Sequence, residues 1–145
     1  WGNDLKNRFN MREPYQTMKG AEGWQISTPT ILAMAAIKAS LEIFSSAGID
    51  ALFKKSNLLT SYLDFLLKEL NTTKITIITP EDVESRGCQI SIEISEPDKD
   101  FHKNLTDLGV ITDWRDPNVI RCAPTPLYNS FTDIYMFVQK LKKLI

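Results

Sequence analysis

Arg121 is the residue of this 145-residue chain whose surroundings demand most of its chemistry. It lies in Val119-Ile120-Arg121-Cys122-Ala123-Pro124, with apolar neighbours on both sides. A guanidinium in that setting must find an anion, because an unpaired buried charge is very costly. Two readings follow: an ion pair with an internal acid, Asp113 or Glu93, or a fork that holds a ligand carboxylate in two parallel hydrogen bonds. Thr28 is the second candidate. In Ser27-Thr28-Pro29 its hydroxyl suits a helix N-cap and Pro29 suits the first helical position. The free N–H groups of such a helix start attract phosphate. The plainer reading is that Thr28 caps its own helix and binds nothing.

Other reactive side chains offer less. One histidine, His102, and two cysteines, Cys88 and Cys122, cannot make a tetrahedral zinc site without carboxylates, so no metal is expected. Both cysteines fall in strand-like stretches and read as small core residues, although their number alone leaves room for a Cys–His pair. A disulfide would need an exported chain, and no basic-then-apolar leader is present, so the expected location is cytoplasmic. His102, beside Asp100 and Lys103, reads as solvated, and Glu81, Asp82 and Glu84 read as a polar loop. Trp1 and Trp24 could stack on a flat ligand, but aromatics in an apolar loop are more often core or interface.

The elements that must position these groups follow from periodicity. Residues 1–26 have no clean period and carry Trp1, Phe9, Tyr15 and Trp24, an ordered loop whose aromatics ask for a covering surface. A domain is expected over 27–145. Its first helix begins at Thr28-Pro29, carries Met34, Ile37, Leu41 and Phe44, and ends at Ala47-Gly48. The second runs over 50–70 with Leu52, Leu59, Leu63, Leu66 and Leu70 on one stripe. Strands are predicted over 74–79, 88–95, 110–114 and 119–122, with a helix from Pro97 to Gly109. Ser130-Phe131-Thr132-Asp133 resembles a capping box opening a last helix. Two helices followed by a mostly antiparallel sheet of about four strands with further helices make the fold class α+β.

Composition bounds the rest. A hydrophobic fraction of 43% with 24% charged residues excludes disorder of the whole chain. A net charge of −1 gives no electrostatic footprint for nucleic acid or an anionic membrane. No glycine-rich strand-to-helix turn suggests a nucleotide loop. The chain opens on Trp1 rather than methionine, which points to a piece of something longer.

Several segments together resemble the kynureninase family, pyridoxal 5'-phosphate (PLP) enzymes of aminotransferase-like fold type I. They are Trp1-Gly2-Asn3-Asp4, Arg8-Phe9-Asn10-Met11, Ile26-Ser27-Thr28-Pro29, Ala39-Ser40-Leu41-Glu42-Ile43-Phe44, Arg86-Gly87-Cys88-Gln89-Ile90-Ser91, and Asn118 to Pro124 continuing through Pro126-Leu127-Tyr128-Asn129-Ser130-Phe131. The match runs from end to end, and the last segment is the most specific. The resemblance implies the C-terminal third of the enzyme, the small domain with its leading loop, and places the Schiff-base lysine upstream of this chain. It implies hydrolysis of L-kynurenine, or its 3-hydroxy form, to an anthranilate and L-alanine by a homodimer, with the fragment inactive alone.

By the same resemblance Arg121 grips the substrate α-carboxylate, Thr28 lies close to the cofactor phosphate, and Trp1 and Asn3 lie near the aromatic ring of the substrate, with Trp1 also a candidate for the phosphate. Asn3 stands where the family usually has histidine. The alternatives are the small domain of another fold type I enzyme, such as a cysteine desulfurase, and a non-catalytic binding or assembly domain.

Overall fold

A computed structural model describes residues 2–10 and 13–145, so Trp1 lies outside the described residues. Contacts divide the chain into two compact units, 1–46 and 47–145. The division falls later than the 26/27 boundary read from composition, because the first helix clusters with the loop before it.

The first unit is built on backbone rather than on an apolar core. Gly2 N–H donates to the Gln25 carbonyl at 2.6 Å, Met18 N–H to that of Gly2 at 2.8 Å, and Asp4 N–H to that of Gln16 at 2.8 Å. Asn3 and Thr17 form an antiparallel bridge. A 3-10 turn, Gly20–Trp24, closes the loop. The strands of this loop approach so closely that a Cβ on Gly2 would sit 2.2 Å from the Gly23 oxygen, and one on Gly23 would sit 2.4 Å from the Met18 oxygen. Only glycine fits at either place.

Helix α1 spans Ile31–Ala47, not the span expected from Thr28-Pro29. The Thr30 carbonyl accepts the Met34 N–H at 3.0 Å, so Thr30 holds the N-cap position and Thr28 lies outside the helix. No residue of α1 is buried, and Met34, Ile37, Leu41 and Phe44, correctly spaced for a helix face, are all exposed. Phe9, Tyr15 and Trp24 are exposed too, so they do not form a core. Among the described residues no single helix is long and apolar enough to cross a membrane.

The second unit carries the hydrophobic core. Gly48, at φ +80°, a conformation costly for any side chain, precedes α2 (Ile49–Glu69). Next come β1 (Ile75–Ile77), β2 (Ile90–Ile94), α3 (Phe101–Asp107), β3 (Asp113–Arg115), β4 (Val119–Cys122) and α4 (Phe131–Leu141). The strands form one antiparallel sheet in the order β1-β2-β4-β3, giving the α+β domain expected from the element order.

Alternation decides which face is buried. Ile90, Ile92 and Ile94 of β2 and Ile120 and Cys122 of β4 meet Leu59, Leu63 and Leu67 of α2, Phe101 and Leu105 of α3, and Ile134, Val138 and Leu141 of α4. Each fully buried aliphatic side chain contributes roughly 1.5–3 kcal/mol of transfer free energy. The α2 stripe reads Leu59-Leu63-Leu67, with Leu66 and Leu70 only partly buried at its margin. At α4 the capping box is complete: the Asp133 N–H donates to Ser130 Oγ at 3.2 Å and the Ser130 N–H to Asp133 Oδ2 at 2.7 Å. These bonds hold the Asp133 carboxyl below its usual range.

Two strand predictions move for identifiable reasons. The Val110 N–H donates to the Leu105 carbonyl and Gly109 turns at φ +77°, so Val110 is tied back to the end of α3 and the ladder begins only at Asp113. Cys88 precedes β2 rather than lying in it, because β4 ends at Cys122, opposite Ile90, and offers no ladder partner beyond it.

Candidate functional site

The alternation that buries Ile120 and Cys122 turns Arg121 to the opposite face of the sheet. Register then selects its partner. Arg121 stands directly opposite Asp113 of β3 and Ser91 of β2, whereas Glu93 is opposite Val119. Side chains directly across an antiparallel pair lie within ion-pair reach, and the diagonal ones stand several ångströms further apart. The two possible internal partners read from the sequence therefore reduce to Asp113. Arg121 Nε donates to Asp113 Oδ2 at 2.7 Å, and Nη2 donates to the same oxygen. Arg115 Nη2 approaches that oxygen at 3.1 Å. The Arg121 guanidinium, with the charge of Arg115 beside it, holds the Asp113 carboxyl below the usual carboxylate range.

This ion pair does not close Arg121 off. Its side chain is 33% exposed and lines a groove of about 580 Å³ where β4 runs out at Ala123 and Pro124. Gln89, Thr112, Asp113, Thr125, Tyr128 and Asp133 supply polar groups to the same groove, and among the described residues no lysine lines it. One wall is fixed from a distance: Lys55 of α2 donates to the Pro126 carbonyl at 2.7 Å. Asn129 Oδ1 accepts the Thr125 N–H at 2.8 Å, and the Asn129 N–H donates back to the Thr125 carbonyl at 2.8 Å. Sequence reading missed Lys55 as a support, because a contact spanning 71 residues leaves no periodic trace.

The other sequence-derived candidates lie in the first unit. Asn3 is half-buried, and its Oδ1 accepts the Asp4 N–H at 2.9 Å. Thr28 is exposed, ahead of the α1 start, where the first-turn amides of Ile31 and the residues after it have no intrahelical acceptor.

His102 is not solvated as expected. Its ring stacks on Trp114 with centroids 5.7 Å apart, and Nε2 lies 3.3 Å from the Thr112 carbonyl. Both cysteines are free thiols. Burial pushes the Cys122 thiol up to about 12, which disfavours the thiolate that nucleophilic chemistry needs. An alkylating reagent near neutral pH will label the half-exposed Cys88 and spare Cys122 until the protein unfolds. Equal labelling of both in the native protein, read by peptide mass, would show that Cys122 is not in the core.

Comparison with known proteins agrees with this architecture. A family model described as the kynureninase C-terminal domain matches residues 52–141, from α2 through the end of α4. Kynureninase of Myxococcus xanthus is 49% identical over 142 residues, covering 98% of this chain and 33% of that protein. Kynureninase of Koribacter versatilis is 46% identical over 140 residues (97% and 33%), and that of Homo sapiens is 46% identical over 153 residues (100% and 33%). The chain spans about a third of the length of the curated relatives it matches. With its α+β architecture and this match through most of its length, the chain belongs to the kynureninase C-terminal domain family.

Proposed function

We propose that this chain is the C-terminal part of a PLP-dependent hydrolase that cleaves L-kynurenine, or 3-hydroxykynurenine, to an anthranilate and L-alanine, and that Arg121 holds the substrate α-carboxylate. The observation that carries this reading is a guanidinium facing an open groove with one edge unused by the protein. Fixing the carboxylate orients the α-carbon and removes rotational freedom before bond breaking. PLP, when bound, supplies the electron sink for cleavage of the side-chain carbon–carbon bond. Thr28 and the first-turn amides of α1 suit its phosphate, with Trp1 as a second contact to phosphate or substrate. Asn3 offers an amide to a substituent of the substrate ring. The lysine that carries the cofactor belongs to the remainder of the enzyme, so this chain alone is inactive. The complete enzyme works as a homodimer in the cytoplasm.

The test is direct. The complete enzyme, purified with PLP, is expected to show the visible absorbance of bound cofactor and to release fluorescent anthranilate from kynurenine. Cofactor absorbance with turnover of cysteine but not kynurenine would move the chain to a desulfurase-like enzyme. Neither signal would leave a binding or assembly domain.

A further inference from the structure

The two Arg121 donors that meet Asp113, Nε and Nη2, lie on the same side edge of the guanidinium, and both end on one carboxylate oxygen. A planar guanidinium has a second edge for bidentate recognition, formed by Nη1 and the outer proton of Nη2. Among the described residues Nη1 of Arg121 has no hydrogen-bond or ion-pair partner, and the side chain lines the groove. The arrangement is fixed by the ladder, since Asp113 and Arg121 are directly opposed in register on β3 and β4. Arg121 and Arg115 share the Asp113 carboxylate, so that three-residue cluster carries one unit of positive charge, although Asp133 also lines the groove.

We propose that Asp113 is a positioning residue for substrate binding: by occupying the side edge of Arg121 it leaves the end edge, Nη1 with Nη2, as the fork that receives the α-carboxylate. The proposal rests on the reading of Arg121 as the carboxylate ligand and adds which edge is used and what fixes it. A free arginine side chain would sample many rotamers and lose that freedom on binding. Asp113 imposes the loss during folding, so less of the binding energy of the substrate is spent on ordering the side chain. A carboxylate in this place could instead compete with the substrate for the guanidinium. The two roles predict opposite changes in KM.

The test uses the complete PLP-loaded enzyme. Asp113→Ala is expected to raise KM for kynurenine by about 10–100-fold while kcat changes less than about threefold and cofactor absorbance stays at the parent value. Asp113→Asn, which keeps an acceptor oxygen in the same place, is expected to recover KM to within about fivefold of the parent. A KM for Asp113→Ala at or below the parent value overturns the proposal. If the alanine variant loses cofactor or folds poorly, Asp113→Glu carries the test, because it keeps the charge but displaces the oxygen. A raised KM supports positioning, and a parent-like KM overturns it. Arg121→Lys separates the two layers. If it raises KM and Asp113→Ala does not, positioning alone fails. If it leaves KM unmoved, the carboxylate reading fails first.

Discussion

Replacing Arg121 by lysine in the complete enzyme will lower kcat/KM for kynurenine by about 10–1,000-fold, roughly 1.5–4 kcal/mol of transition-state binding, and leave cofactor absorbance intact. Lysine keeps the charge, so the loss reports geometry. An ammonium offers a point charge in place of a planar fork and cannot satisfy Asp113 and a second carboxylate from two edges. The lysine side chain would also settle on Asp113, the nearest anion in the ladder, and withdraw from the groove. Steady-state kinetics with kynurenine decides the matter: parent-like kcat/KM in the variant would remove Arg121 from the substrate site.

The second large effect concerns stability and lies away from the groove. Asp64 of α2 is nearly buried and holds two cations, Lys68 at 2.9 Å and Arg86 at 3.8 Å. The Arg86 side chain is only 3% exposed. Its Nη1 reaches the Pro80 carbonyl, and its buried Nε has no hydrogen-bond partner among the described residues. Asp64→Ala leaves that guanidinium with the Pro80 carbonyl and the exposed carboxylates of Glu81 and Asp82, and losing the one carboxylate beside a buried cation is expected to cost about 3 kcal/mol. Lys68 is not the cause, since it keeps Glu81 at 2.5 Å and is half-exposed. Removing both charges, with Asp64→Ala and Arg86→Met together, is expected to recover much of the loss. Denaturant unfolding measures it, and a single-variant loss below about 1 kcal/mol would show that Arg86 is satisfied without Asp64.

The two effects differ in how far the sequence revealed them. Arg121 stood out because a charge among apolar neighbours in a strand demands a partner. Arg86 carries no such mark: it sits in the polar run Glu84-Ser85-Arg86-Gly87, and only folding places its side chain under the loop beside α2. His102 shows the same limit. Its neighbours in sequence are polar, yet its ring lies on Trp114, which β3 brings to it.

Local pattern by itself determined the α+β order, the alternating faces of β2 and β4, the capping box at Ser130 and Asp133, and Arg121 as the side chain to explain. Each of these is encoded within a few residues by period, rotamer or a short-range hydrogen bond. Tertiary structure decided that Asp113 and not Glu93 faces Arg121, that Leu67 rather than Leu66 enters the core, that α1 starts after Thr30, and that the apolar face of α1 is uncovered in its own unit. Periodicity states which side of an element is apolar. Only strand register and long-range packing state what stands opposite it, and the pairing of Arg121 with Asp113 is a consequence of that register.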